Sequence, residues 1–215
     1  MKLFVSWSGG KDCMLALYRI LQNKRHDVTH LLTMCDIVDE HSHSHGIKKS
    51  LIEQQAQSLG IEIMQPKSDF RSYETNFKTA IYLLKKKGIT GGIFGDIYLQ
   101  PHRDWIERVC FEMDIVPLFP LWKNNTTEII HEVIGSGFKT IVVSVNAQCL
   151  PESWLGRDID NQFVADIIKL KAIDPCAENG EYHSFVYDGP LFSKPIAFSG
   201  GQEYFKDNHW FLNIQ

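Results

Sequence analysis

Between residues 3 and 145, short apolar runs alternate with amphipathic helical stretches, and three of those stretches stop at a glycine. The apolar runs are 3–7, 28–34, 61–64, 93–97, 115–119 and 140–145. The helical stretches between them are 12–21, 48–59, 73–87, 102–113 and 126–134. Gly60, Gly88 and Gly135 follow where a left-handed residue commonly ends a helix. Val-, Ile- and Leu-rich strands separated by helices imply βαβ crossovers, hence a parallel sheet covered on both faces. The expected fold is therefore α/β, a doubly wound parallel sheet.

The pattern changes after residue 145. One more helix is expected over 163–170, then a β-rich run over 182–187 between the turn signals Asn179-Gly180 and Asp188-Gly189-Pro190. The tail from 191 to 215 is aromatic and strand-like. This reads as a smaller C-terminal α+β part, 124–215, beside a first part, 1–123. No Gly/Ser-rich linker separates them, so the second part is expected to pack directly on the first.

With 44% hydrophobic residues in 215, the chain can fill a core. Its formal net charge is −4, and Lys85-Lys86-Lys87 suits a helix end, so no duplex-binding footprint is visible. No nucleic-acid partner is expected. No run approaches about 18 apolar residues, and the opening run is too short for a signal core, so no membrane association is expected. The five cysteines, Cys13, Cys35, Cys110, Cys149 and Cys176, form no Cys-x-x-Cys pair. A reducing, cytoplasmic setting fits them better than a disulfide framework or a zinc ribbon.

Ser8-Gly9-Gly10-Lys11-Asp12-Cys13 lies between the first strand and the first helix. Glycines let several backbone N–H groups turn towards one point, and the helix N-terminus adds unpaired donors. Lys11 offers a mobile cation and Ser8 a hydroxyl. Asp12 suits either the helix start or a magnesium ion carried by phosphates. The ordinary P-loop and the dinucleotide Gly-x-Gly-x-x-Gly pattern are both absent.

Gly95-Asp96 follows a strand, where ligands of open parallel sheets gather. Asp96 is either a turn residue or a group that orients a nucleotide or holds magnesium. Arg103 and Glu107 are four apart on a helix, the spacing of a surface ion pair. His41, His43 and His45 alternate along the chain, but no carboxylate or Cys partner follows, so a polar loop over the site is favoured over a metal centre. Gly46 would permit close approach of a ligand. Glu178 and Glu181 bracket Asn179-Gly180, and a two-residue hairpin would bring their backbones together. On an extended strand Glu181 and His183 share a face and can act together on a proton.

Ser8 to Cys13 resembles the PP-loop of the ATP pyrophosphatase superfamily, usually Ser-Gly-Gly-x-Asp-Ser. The whole chain is similar to the diphthine–ammonia ligase family. That resemblance rests on the loop, Phe94-Gly95-Asp96-Ile97, Pro120-Leu121-Trp122 and Glu178-Asn179-Gly180-Glu181-Tyr182-His183-Ser184. It implies a HUP-like, Rossmann-like first domain that cleaves ATP to AMP and pyrophosphate with magnesium. Ammonium would then amidate an adenylated carboxylate, the acceptor in the family being a modified histidine on elongation factor 2. The implied nucleotide-site residues are Ser8, Gly9, Gly10, Lys11, Asp12, Cys13, Gly46, Gly95, Asp96 and Arg103, with Asp12 and Asp96 towards magnesium. The implied catalytic residues are Lys11, Asp12, Glu178, Glu181 and His183. Two positions depart from the family pattern: Cys13 replaces a Ser, and His183 replaces a Glu, which leaves a related carboxylate acceptor open beside diphthine. Other readings are a tRNA-modifying adenylating enzyme, which would favour paired cysteines and a basic face, and an ATP or AMP sensor without turnover.

Overall fold

A computed structural model describes residues 1–38, 41–42 and 45–215. The elements in chain order are β1 (Lys2–Ser6), α1 (Lys11–Gln22), β2 (Asp27–Leu32), β3 (Cys35–Asp36), α2 (Lys49–Leu59), β4 (Glu62–Met64) and β5 (Lys67–Ser68). There follow α3 (Tyr73–Lys86), β6 (Gly91–Ile93), α4 (Gln100–Glu112), β7 (Val116–Leu118) and α5 (Thr126–Gly135). The last are β8 (Lys139–Asn146), α6 (Asn161–Ile167), β9 (Tyr182–Asp188), β10 (Glu203–Lys206) and β11 (His209–Leu212). Among the described residues no helix is long and apolar enough to cross a membrane.

Five strands form a parallel sheet in the order β4-β2-β1-β6-β7. Successive side chains of a strand leave on opposite faces, and the core divides accordingly. Leu3, Val5, Leu31 and Ile93 enter one cluster with α1, α2 and α5. Phe4, Leu32 and Phe94 enter another with α3 and α4. The sheet is thus doubly wound. Chain order reverses between β1 and β6, so the loops after these two strands open onto a crevice at the switch point.

β6 begins earlier than the apolar run at 93–97 suggested. A Cβ on Gly91 would stand 2.7 Å from the Val116 carbonyl oxygen, and one on Gly92 2.6 Å from the Phe4 ring. The central strand therefore uses glycines for close packing, a residue type that propensity counts against strands.

The run at 140–145 continues the strand–helix alternation in sequence, but in the structure β8 leaves the parallel sheet. It lies in an antiparallel sheet ordered β10-β11-β8-β9. Asp207 and Asn208 link β10 to β11 with φ of 50° and 61°, the left-handed pair a type I′ hairpin needs. The first core cluster runs on into this sheet through Val142, Val145, Phe185 and Val186. Helix α1 touches β1, β6 and β9, so it lies against both sheets.

Phe4 is fully buried between the faces of β6 and α3. Phe4→Ala is expected to lower unfolding stability by about 3–5 kcal/mol in urea denaturation, and a loss under about 1 kcal/mol would contradict this packing.

Candidate active site

The turn after β1 is shaped from within. Gly9 has φ of 83°, and a Cβ there would collide with Ile52 at 2.5 Å. The Ser8 hydroxyl accepts from the Gly10 amide at 3.3 Å and lies 3.4 Å from the Cys13 sulfur. The Cys13 thiol donates to the Gly10 carbonyl at 3.2 Å, so the residue standing in place of a serine closes the turn on itself. Burial raises that thiol's pKa, which keeps it neutral. From the other side Gly95 abuts the start of α1; a Cβ would stand 2.9 Å from the Cys13 nitrogen. The two switch-point loops therefore touch, backbone to backbone.

A cleft of about 840 Å³ opens over them, within the range of small-ligand sites. Its polar lining includes Ser8, Asp12, Cys13, Asp96, His102 and Glu178, with Gly95 beside them. Leu32, Met34, Tyr73, Phe77, Phe94 and Trp105 also line it, as do Arg71 and Glu74. Asp12 is 27% exposed, and its Oδ1 is buried without a hydrogen-bond partner among the described residues. Burial raises its pKa; Lys11 works against that rise, while Asp174 and Asp96 add to it. The Asp96 carboxylate sits 3.6 Å from His102 Nδ1 and raises that imidazole's pKa. Glu178 accepts from the amides of Ile97 and Tyr98 at 3.1 and 3.2 Å. Its pKa is raised, first by burial and then by Asp12. Hard carboxylate oxygens on Asp12 and Asp96, one of them unpartnered, suit a magnesium ion that phosphates also hold. Among the described residues no cluster of three or more metal-ligating side chains occurs.

Several expected residues stand elsewhere. Lys11 is not mobile: it is 3% exposed, and its ammonium bonds the Cys176 carbonyl and, at 2.9 Å, Asp12. Burial opposes the charge, but Asp12, Tyr182 and Cys176 together outweigh it and the ammonium stays protonated. Glu178 and Glu181 do not flank a hairpin. Gly180 has φ of 82° but Asn179 has no positive φ, and β9 starts only at Tyr182. Glu181 is 3% exposed and folds back to accept from the Asp174 and Asn179 amides, both at 3.0 Å. It shapes the loop, while Glu178 reaches the cleft.

His183 lies outside the cleft lining, its ring 4.7 Å from that of His45. Burial, then His45, Lys11 and His209, push its pKa well below the ordinary value. His45 bonds the Ser184 carbonyl at 2.8 Å, and burial pushes its pKa down to about 4. Of the three alternating histidines, His43 lies outside the described residues. Gly46 makes its close approach to protein: a Cβ there would meet the Phe211 ring at 2.9 Å. Arg103 is held by Glu107 at 2.7 Å and stacks 4.7 Å from Phe119 and 4.6 Å from Trp122, so the face of α4 lining the cleft is His102, Trp105 and Ile106 instead.

Sequence reading passed over Gln55 and, though it quoted Ser184 in a motif, gave that residue no role. Gln55 is fully buried on the apolar face of α2, and a glutamine at that helical position was the available signal. Ser184 Oγ accepts from the Lys11 amide at 3.2 Å, so β9 caps the start of α1.

This strand order and crevice define a doubly wound α/β protein in which Ser8 and Cys13, at the ends of the glycine turn, share one cleft with Asp12, Asp96 and Glu178, while Gly9 and Gly10 stand outside its lining. The family model described as the diphthamide synthase N-terminal domain matches residues 1–117, and that of the diphthamide synthase C-terminal domain matches 125–215. The chain belongs to the diphthamide synthase family. It is 34% identical over 124 residues to the diphthine–ammonia ligase of Bos taurus, covering 56% of this chain and 46% of that one. The human diphthine–ammonia ligase is 32% identical over 124 residues, with the same coverage of 56% and 46%. The chain thus spans about half the length of these relatives. A solved structure titled as a predicted subunit of tRNA methyltransferase, from Methanocaldococcus jannaschii, overlays with a TM-score of 0.48 at 18% identity. The overlay covers 86% of this chain and 96% of that one.

Both imidazoles, His45 and His183, bind protons less readily folded than unfolded. For His45 the stabilisation is complete above about pH 6.5 and is lost as pH falls towards 4, and His183 acts in the same direction. The melting temperature should drop over that window, and the drop should shrink in His183→Gln; an equal drop in both proteins would contradict the depressed values.

Proposed function

We propose that this chain is an ATP-dependent ligase that adenylates a carboxylate and passes the acyl group to ammonia, with diphthine on elongation factor 2 as acceptor. The observation that carries the reading is the meeting, in one cleft, of Ser8 and Cys13 from the glycine turn with Asp12, Asp96 and Glu178. Membership of the family and relatives named for this reaction support it. In this reading residues 1–123 hold ATP, and 124–215 cover it and bring the acceptor and ammonium.

The acceptor carboxylate attacks the α-phosphorus, the bond to the bridging oxygen breaks, and pyrophosphate leaves. The N-terminus of α1 and the turn at Ser8–Cys13 receive that pyrophosphate. Asp12 and Asp96 would hold a magnesium ion with the phosphates, and bound there it would neutralise their charge. Lys11 acts through Asp12: its buried ammonium fixes Oδ2 and leaves Oδ1 without a hydrogen-bond partner among the described residues. The acyl-adenylate then loses AMP to ammonia, which attacks the acyl carbon to form the amide. Ammonium has no lone pair and must first lose a proton. Glu178, with its raised pKa and its oxygen fixed by two backbone amides, is the acceptor for that proton.

The test is incubation with ATP, magnesium, ammonium and diphthine-bearing elongation factor 2. AMP, pyrophosphate and amide are expected in equal amounts. ADP plus phosphate overturns the mechanism, and tight ATP binding without products points to a sensor. Asp12→Asn should lower pyrophosphate release by about a hundredfold or more. Glu178→Gln should spare acyl-adenylate formation and slow amide formation by about a hundredfold, the usual size of a lost proton acceptor. Normal amide yield from Glu178→Gln removes Glu178 from the mechanism.

A further inference from the structure

Gln55 is fully buried, yet it makes three side-chain hydrogen bonds across three parts of the chain. Its Oε1 accepts from Trp7 Nε1 at 2.9 Å. The indole N–H only donates, so this bond fixes which end of the amide is oxygen. Nε2 must then face the other way, where it donates to the Gly9 carbonyl at 3.0 Å and the Val186 carbonyl at 2.6 Å. The Gly9 carbonyl also receives the Val186 amide at 3.0 Å, so two donors hold it.

The Gly9 carbonyl and the Gly10 N–H belong to one peptide unit. In a trans peptide they point in opposite directions. Holding the oxygen towards α2 and β9 therefore aims the Gly10 N–H the other way. There it meets the Ser8 hydroxyl at 3.3 Å, and Ser8 lines the cleft. A Gly-Gly peptide has no Cβ on either side to resist rotation. A half-turn of it would present a carbonyl oxygen to an incoming phosphate.

We propose that Gln55 is a positioning residue for triphosphate binding, acting through the Gly9–Gly10 peptide to keep the Gly10 amide on the Ser8 hydroxyl, which itself lines the cleft. It couples the turn to β9 at the same time, because one NH2 group bridges the Gly9 and Val186 carbonyls. The inference rests on the proposed reading that this turn receives pyrophosphate.

Gln55→Glu tests it, since the shape is nearly kept and the donor is lost. Above its pKa the new carboxylate faces two carbonyls and repels them. Burial raises that pKa, so near neutral pH the acid form returns with one O–H to donate. The dissociation constant for ATP should rise by about tenfold or more at about pH 8 and recover towards wild type at about pH 6. Wild type, measured alongside, corrects for protonation of the nucleotide. Loss of packing alone would not reverse with pH in this direction. Equal affinity of the two proteins at both pH values overturns the role of Gln55 while leaving the ATP reading intact. Failure of wild type to bind ATP overturns both.

If Gln55→Glu does not fold, wild type labelled at its glutamine side chains decides the matter. The Gln55 NH2 resonances should shift when inorganic pyrophosphate is added. Unmoved resonances, with pyrophosphate shown to bind, overturn the proposal.

Discussion

The Val186 amide donates to the Gly9 carbonyl at 3.0 Å, and this bond joins the antiparallel sheet to the turn after the first strand. Much of the site follows from it. Once β9 lies along that turn, Ser184 reaches the Lys11 amide and the His45 imidazole reaches the Ser184 carbonyl. The loop before β9 is then delivered to the carboxyl ends of β1 and β6, where Glu178 meets the Ile97 and Tyr98 amides. A parallel sheet with a glycine turn would be half a site without this docking.

The electrostatics of the cleft are arranged by the same docking. Lys11 is withdrawn into the seam, bonded to a carbonyl of the C-terminal loop, and shares its charge with Asp12. Three acidic groups, Asp12, Asp96 and Glu178, are left facing a partly closed space. Burial raises the pKa of Asp12 and of Glu178, and neighbouring charge adds to it: Asp174 and Asp96 at Asp12, and Asp12 at Glu178. Such a space suits a cation arriving with phosphates, and a carboxyl that holds a proton more readily than usual.

Much of the first half was legible in residue order. The alternation of apolar runs and helices implied the parallel sheet, and Gly60 does end α2 with a left-handed φ of 68°. The glycine turn and Gly95-Asp96 do flank one crevice, because strand ends at a switch point converge whatever the loop sequences are. The second half was less legible. Glu178 and Glu181 carry the same chemistry three positions apart, yet one reaches the cleft and the other is consumed by Asp174 and Asn179 amides. Gly46 was singled out for its freedom, but its neighbour is the Phe211 ring, contributed by the far end of the chain. Arg103 has the charge for a phosphate, but Glu107, Phe119 and Trp122 engage it.

Local order in the sequence determined the strands, the helices and the turn between the first two elements, since propensity, periodicity and glycine conformation act over a few residues. Tertiary structure alone decided which like-charged side chains face the cleft, which lysine is buried, and that β8 joins a second sheet. Those outcomes depend on which backbone donors and carbonyls from distant segments arrive at the same place. A buried polar group takes whatever partner the packing supplies, and spacing along the chain does not encode that partner.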